Sequence, residues 1–213
     1  MTRPQRKKVI MSEFPHRPRP VIAPKLHHAT FLTLKLHEMV AWYETVCGLT
    51  PVHYAETAAW LTNDEANHRI ALIAHPAIKK PVDKRTSAGL HHTAFEYESF
   101  DQWLDNYSRL KDAGIEPFMC LDHGLTMSMY YADPEGNGVE IQVDAFNSWA
   151  ESKEWTWASR EFAENPIGEW FAPDKLVEAR ESGLGKDDIH QGCREGKYRP
   201  ESPRDDILLP EVY

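Results

Sequence analysis

The sequence predicts an α+β protein in which a βαβββ unit occurs twice and a helical, tryptophan-rich extension follows. A short segment is used twice, as LHHATFLT at residues 26–33 and as LHHTAFEY at residues 90–97. Each copy precedes a run with helical spacing of its apolar residues that ends at a glycine, and three short alternating runs follow each helix. An internal repeat of this kind predicts two similar sheets, each covered by one helix.

The first unit spans residues 25–75. Its predicted helix covers residues 37–47 and ends before Gly48, since a glycine after the last turn readily adopts the left-handed conformation of a helix cap. The predicted strands of this unit cover residues 26–33, 51–54, 59–62 and 68–74.

The second unit, residues 89–146, repeats the pattern with a helix over residues 100–113 and Gly114 behind it. The sequence DPEGNG at residues 133–138 predicts a tight turn between its last two strands, because proline presets φ and the glycines tolerate positive φ. The predicted strands of this unit cover residues 90–97, 116–119, 127–131 and 139–143.

The two strands on either side of that turn alternate apolar and polar residues. Met127 and Met129 alternate with Thr126, Ser128 and Tyr130, and the strand after the turn alternates in the same way. Such alternation is typical of a sheet with one face in the core and one in water. The repeat favours another interpretation, in which the polar face lines an enclosed site.

The last strand of each unit gives a candidate position for a metal ligand. Aligning the units on the turn asparagines, Asn67 and Asn137, sets Glu140 against Ile70. We therefore expect a carboxylate from the second unit only, with an apolar side chain at the matching position of the first.

The first strand of each unit supplies a histidine. Strand alternation favours His28 and His92 over His27 and His91, whose side would pack on the helix. If the two curved sheets enclose a cleft, His28, His92 and Glu140 converge inside it. Two imidazoles and one carboxylate hold a divalent first-row metal on one face and leave other coordination positions open.

The composition argues against several classes of partner. Asp and Glu outnumber Lys and Arg by 33 to 24, and a formal net charge of −9 does not suit a nucleic-acid surface. No apolar run is long enough for a signal peptide or a membrane span, and Cys47, Cys120 and Cys193 form no metal or redox motif. We expect a cytoplasmic protein without nucleic-acid or membrane partners.

Two segments flank the repeats. Residues 1–24 are rich in proline and basic residues and predict a flexible arm, or an arm that wraps a neighbouring subunit. Residues 147–213 carry many aromatic side chains and a predicted helix at residues 173–180; we expect them to pack on the core or on a partner subunit, with a lid as the alternative. Residues 207–213 could dock on the body or on another subunit, and a homo-oligomer is expected.

Three segments carry a resemblance to a known family: HRIALI at residues 68–73, GLHHTAFE at residues 89–96 and YYADPEGNGVEIQVD at residues 130–144. They resemble the vicinal oxygen chelate superfamily, and within it the single-domain type I extradiol ring-cleaving dioxygenases. The resemblance implies the vicinal oxygen chelate fold for residues 25–146. It also implies that Fe(II) is held by His28, His92 and Glu140. A set of two histidines and one carboxylate suits Mn(II) as well, so Mn(II) is the alternative.

The resemblance implies further site residues. It places Tyr130 beside bound substrate, His123 as a supporting histidine just upstream of that tyrosine in the chain, and His68 as another histidine lining the site. Strand parity is consistent with His68, because residues 68, 70 and 72 share a face and Ile70 is taken as the counterpart of Glu140. The motif NPIG at residues 165–168 also recurs in these dioxygenases.

The function implied by the resemblance is extradiol cleavage of a catechol-type diol with O2, giving a muconate-semialdehyde-type product. Either His123 or His68 would transfer the proton. Epimerases, glyoxalase-like enzymes and thiol transferases share the fold without activating O2; a glyoxalase-like site would need a fourth ligand where Ile70 stands. A metal-free drug-binding protein of the bleomycin-resistance kind would not need the two histidines and the glutamate.

Overall fold

The computed structural model describes residues 23–80, 83–84 and 87–202. Apart from its last two residues, the predicted N-terminal arm lies outside the described residues, as does the predicted docking segment 207–213. Across the described ranges, no helix combines the length and the hydropathy needed to cross a membrane.

The first unit forms a four-stranded sheet with the strand order β1-β4-β3-β2. Strand β1 pairs in parallel with β4, and the other pairs are antiparallel. Helix α1 ends at Gly48, whose φ of 64° confirms the predicted cap. The elements are β1 (Ala29–Thr33), α1 (Leu36–Cys47), β2 (Thr50–Tyr54), β3 (Ala58–Thr62) and β4 (Ile70–Ala74).

The second unit repeats this topology, which confirms the predicted repeat, and adds one short strand from the extension to give the order β5-β8-β7-β6-β9. The strand predicted at residues 116–119 lies at Met119–Asp122 instead. Pro117 has no N–H to donate to a strand ladder, so residues 115–118 connect helix and strand. The elements are β5 (His92–Tyr97), α2 (Phe100–Asp112), β6 (Met119–Asp122), β7 (Thr126–Ala132) and β8 (Gly138–Asp144).

Strand register corrects the alignment of the two units by one residue. In the first sheet Ala29 pairs with Ile70, and in the second Thr93 pairs with Val139. The structural counterpart of Glu140 is therefore Ala71, and the expectation of Ile70 was wrong. Alignment on the turn asparagines assumed turns of equal length, whereas β4 starts later after its asparagine than β8 does.

Both helices and the helix-side faces of both sheets share one hydrophobic core. The two units also meet at the β7–β8 turn. Thr33 donates a hydrogen bond from Oγ1 to Glu135 Oε1 at 3.0 Å, and the backbone N–H of Leu34 donates to the same oxygen at 2.7 Å. The hydroxyl of Tyr43 donates to Asp133 Oδ2 at 3.3 Å in a buried position. These contacts fix the end of β1 beside the β7–β8 turn.

The C-terminal extension packs partly into the same core. Phe171, Leu176 and Ile189 are buried there, whereas Trp149 and Trp157 remain 72% and 80% exposed. The predicted helix at residues 173–180 is confirmed, with Pro173 in its first turn. The elements are α3 (Trp149–Ala158), α4 (Arg160–Glu164), β9 (Glu169–Trp170), α5 (Pro173–Glu181) and α6 (Lys186–Arg194).

Candidate active site

The face of the second sheet opposite its helix is polar and largely buried. Ser128 is fully buried, and Thr126, Tyr130 and Glu140 are at most 7% exposed. The sequence therefore alternates because the sheet has an apolar core on one side and an enclosed polar surface on the other. The end of this surface near Tyr130 is covered by a second, smaller apolar cluster, to which the extension contributes Ile167 and Trp170.

Glu140 and His92 form the centre of this polar face. Residue Glu140 lies in the middle of β8, and His92 begins β5, which pairs with β8. The distance between His92 Nε2 and Glu140 Oε2 is 2.9 Å. Burial raises the pKa of Glu140, but hydrogen bonds with His92, Ser128 and Tyr130 outweigh it, so the pKa lies below its usual value. The site therefore presents an ionised carboxylate beside an imidazole nitrogen.

Tyr130 and His123 extend this centre into a chain of hydrogen bonds. The hydroxyl of Tyr130 donates to Glu140 Oε1 at 3.0 Å, and His123 Nε2 lies 2.8 Å from the same hydroxyl oxygen. Burial and the neighbouring Glu140 raise the pKa of Tyr130, so the phenol keeps its proton. Burial lowers the pKa of His123, although Glu140 and backbone groups of residues 166 and 167 oppose the shift. At neutral pH the imidazole is therefore uncharged and can accept a proton.

The NPIG motif, residues 165–168, contacts the ring of His123. The side chain of Asn165 closes the loop on itself, accepting from the N–H of Gly168 at 3.1 Å and donating to its carbonyl at 3.0 Å. The following strand β9 pairs with β6, which ends at Asp122. The His123 ring donates hydrogen bonds to the backbone carbonyls of Pro166 and Ile167. The motif thus links the extension to the orientation of one site residue.

Gly168 permits this close approach. Its φ is +85°, and a Cβ there would overlap the backbone carbonyl of Asp122. We expect Gly168→Ala to lower the free energy of unfolding by at least about 3 kcal/mol, from left-handed strain and from the overlap. Gly183→Ala is the matched control, because Gly183 has a similar φ of +96° and open space around it. Denaturant unfolding of both variants measures the difference; equal losses would contradict the close contact.

The histidines of the first unit form a separate group. His28 lies just before β1, and its ring centroid is 4.3 Å from that of His68. Ring nitrogens of His27, His28 and His68 all lie within 4.8 Å of one another, and within the described part of the chain this is the group of three ligand-type residues that meets this limit. The structure therefore brings His92 and Glu140 together but leaves His28 apart from them in one chain.

The parity argument for His68 was wrong, although His68 does lie beside His28. Ile70 and Leu72 belong to the core on the helix side of β4, so shared parity would turn His68 toward the helix. Residues 68 and 69 precede the strand, and Arg69 is turned outward, where its guanidinium bonds to Asp64 at 2.7 Å. The bend at this point lets His68 reach His28.

Sequence reasoning did not single out Ser128 as a site residue. Its side chain hydrogen-bonds to the Glu140 carboxylate and helps to lower its pKa. The signal was present in the alternation of β7, because Ser128 shares the parity of Tyr130 and pairs with Gln142 beside Glu140.

Comparison with known proteins agrees with the resemblance found in the sequence. Residues 25–141 match the model of the Glyoxalase/Bleomycin resistance protein/Dioxygenase superfamily. The chain is 36% identical over 168 residues to biphenyl-2,3-diol 1,2-dioxygenase 3 of Rhodococcus globerulus, covering 79% of this chain and 88% of that protein. It is 34% identical over 186 residues to biphenyl-2,3-diol 1,2-dioxygenase 2 of the same organism, covering 87% and 97%.

A solved glyoxylase/bleomycin resistance protein/dioxygenase domain from Frankia sp. EAN1pec is also similar, with a TM-score of 0.48 and 17% identity, over 57% of this chain and 98% of that one. The family match spans both repeats, and the two dioxygenases align with most of the chain. The predicted superfamily is thus confirmed: the chain belongs to the glyoxalase/bleomycin resistance protein/dioxygenase superfamily.

Proposed function

We propose that this protein cleaves a catechol-type aromatic diol next to its two hydroxyl groups, using O2 and Fe(II) held by His28, His92 and Glu140. The observation that carries the proposal is the buried chain of hydrogen bonds from His123 through Tyr130 to Glu140 and His92. The names of the two Rhodococcus globerulus relatives, both biphenyl-2,3-diol 1,2-dioxygenases, support the same reaction and an aromatic diol as substrate.

The donor atoms of this site suit a divalent metal. Glu140 is a buried carboxylate whose lowered pKa keeps it ionised, and His92 offers a nitrogen 2.9 Å from its oxygen. A third ligand, His28, would complete two imidazoles and one carboxylate, a set that suits Fe(II) and also Mn(II). When bound there, such a metal would lower the pKa of the diol hydroxyl groups and supply the redox chemistry with O2.

The other side chains serve binding and proton transfer. Tyr130 is held between Glu140 and His123, so its hydroxyl is fixed where it can hydrogen-bond a substrate oxygen. His123, uncharged at neutral pH, would accept a proton through Tyr130 or directly from the diol. The apolar residues Phe118 and Ile167 pack around Tyr130 and limit the access of water. His68 is the second candidate for proton transfer, on the side of His28.

A glyoxalase-like reaction is less well supported by the residues. Such a site would take a fourth ligand from the last strand of the first unit. In the structure, Ala71 is the counterpart of Glu140 on that strand, and alanine offers no ligand atom. With no ligand atom from the first unit at this position, the protein would leave room on a bound metal for a diol and O2.

Anaerobic reconstitution with Fe(II), followed by 2,3-dihydroxybiphenyl or catechol in aerated buffer, tests the proposal. We expect one O2 to be consumed for each diol, together with the visible absorbance of a ring-opened product. Protein loaded with Zn(II) is the control, because zinc has no redox chemistry with O2. Iron that binds tightly without any oxygen consumption on either diol would contradict dioxygenase activity on these substrates.

A further inference from the structure

The turn that carries His123 is covered by the C-terminal extension. Residues 122–124 lead from β6 into this turn, and the backbone N–H of His123 donates to the carbonyl of Thr126 at 2.9 Å. The ring of Trp155 on α3 lies over Gly124, where a Cβ would overlap it. The extension therefore restricts the backbone directly after His123.

A buried carboxylate holds the other side of the same turn. Asp122 is completely buried at the end of β6, and its Oδ1 accepts the backbone N–H of Gly124 at 2.8 Å. This bond spans His123, so the carboxylate fixes the backbone from which the imidazole reaches Tyr130. A carboxylate without exposure is costly unless a cation compensates it. The conformation of the turn therefore depends on the partners of Asp122.

Helix α6 supplies those partners. Ile189 and Cys193 anchor this helix in the core. Arg194 donates from Nη1 to the backbone carbonyl of Asp122 at 3.3 Å and lies 3.7 Å from its Oδ1. One turn earlier, His190 Nδ1 lies 3.0 Å from Asp122 Oδ2, although the ring is not aligned for a hydrogen bond. The cation and the imidazole thus meet the carboxylate from one side.

Arg194 is itself held by a second carboxylate. Its guanidinium donates to Glu161 Oε1 on α4, from Nε at 3.0 Å and also from Nη2. The Arg194 side chain is only 9% exposed. Its planar fork therefore joins α4 and α6 to the end of β6, a geometry that lysine would not reproduce.

We propose that Arg194 and His190 position His123 for the reaction by acting through Asp122. Both are positioning residues, because each acts on the turn and not on the reacting atoms. The inference rests on the proposed function, in which His123 accepts a proton. Helix α6 lies beyond the residues that match the superfamily model, so the inference gives the extension a role in turnover.

The same residues set the charge around the His123 ring. Asp122 and Glu140 favour the protonated imidazole, and Tyr130 is the titratable group that bonds to it. Because Arg194 compensates Asp122, loss of the arginine should strengthen the field of the carboxylate and raise the pKa of His123. Loss of the Asp122 charge should lower that pKa. A general loosening of the fold would not produce two opposite changes.

Arg194→Gln and Asp122→Asn test the inference. The full chain is loaded with Zn(II), and the pKa of His123 is measured by NMR with isotope-labelled histidine; His123→Gln identifies the signal. We expect Arg194→Gln to raise this pKa by about half a pH unit and Asp122→Asn to lower it by a similar amount. With Fe(II), both variants should keep the wild-type iron content and lose roughly 10-fold in kcat. The acid limb of kcat/KM should move in the same directions as the pKa.

A double variant covers the case in which one substitution prevents folding. Arg194→Gln leaves a buried carboxylate without its cation, and replacing both residues removes that cost. The protein with Arg194→Gln and Asp122→Asn together should therefore resist denaturant better than Arg194→Gln alone. Its His123 pKa should return toward the wild-type value, because the two changes cancel, while kcat stays low.

Arg180→Gln is the matched control. Arg180 also belongs to the extension, and it joins α5 to Asp101 and Asp105 on α2. Its substitution removes a cation and an ion pair of similar kind at a distance from the turn. The pKa of His123 and kcat should both stay at the wild-type values.

The outcomes separate this inference from the proposed function. If Arg194→Gln and Asp122→Asn leave the pKa of His123 unchanged, or move it in the same direction, the inference is overturned and an active wild-type protein keeps the proposed function. Wild-type kcat in both variants overturns the inference as well. Opposite pKa changes in a protein that consumes no O2 overturn the proposed function alone, since the action of the extension on His123 would stand.

Discussion

Glu140→Ala should abolish iron binding and reduce kcat/KM for the diol by roughly 10³-fold or more. Residues that only support a metal ligand cost 10–100-fold when removed, and loss of the ligand itself exceeds that. Glu140 is the carboxylate of the proposed ligand set, and His92, Tyr130 and Ser128 all hydrogen-bond to it. Its removal therefore takes away both a proposed ligand and the hydrogen-bond acceptor of the polar face. Metal analysis after reconstitution and oxygen uptake measure the two effects.

Glu96→Gln is the matched control for this prediction. Glu96 lies on β5, on the same side of the sheet, and its carboxylate bonds to Gln142 and Trp149 at the exposed margin. Loss of that charge should leave iron content and turnover close to wild type. Circular dichroism would confirm that both variants are folded. A Glu140→Ala protein with full iron content would remove Glu140 from the ligand set.

The repeat was predictable from sequence because its signals are local. Helix periodicity and the glycine after α1 depend on neighbouring residues only, and the structure reproduces both. The polar face of β7 was also predictable, since alternation fixes which side chains share a face. Local patterns therefore determined the elements and the faces of each unit.

Relations between segments were harder to predict. The counterpart of Glu140 moved from Ile70 to Ala71 because register depends on turn geometry, and a shift of one residue exchanges the faces of a strand. His28 and His92 occupy matching positions of the repeat, yet repeat symmetry does not say how the two units pack together. That packing is decided by side-chain contacts such as the bond from Tyr43 to Asp133, which no local pattern reveals.

The role of the NPIG motif shows the same limit. The sequence showed only that the motif recurs in related dioxygenases. Its contact with His123 depends on the pairing of β9 with β6, which are far apart in the chain. Only that pairing places the loop behind His123, where backbone groups of Pro166 and Ile167 bond to the ring. A motif in the extension thereby controls the orientation of a residue in the second unit.

His123→Gln is expected to lower kcat by roughly 10²-fold while iron content stays at the wild-type level. The His123 ring lies 2.8 Å from the Tyr130 hydroxyl, and among the described residues it has no hydrogen bond to the proposed ligands. Its loss should therefore remove proton transfer without removing a ligand. Burial places its pKa below the ordinary 6.5, and the neutral form is the base. The acid limb of kcat/KM should therefore lie below pH 6.5 in the wild type and disappear in the variant.

Tyr130→Phe tests whether His123 acts through the tyrosine. If His123 and Tyr130 form one proton path, either substitution breaks it, and the double variant should be no slower than the slower single variant. If His68 accepts the proton instead, His123→Gln keeps its turnover and its acid limb, and His68→Gln loses both. In that second outcome the proton would be accepted beside His28, where His68 lies, and not beside Glu140.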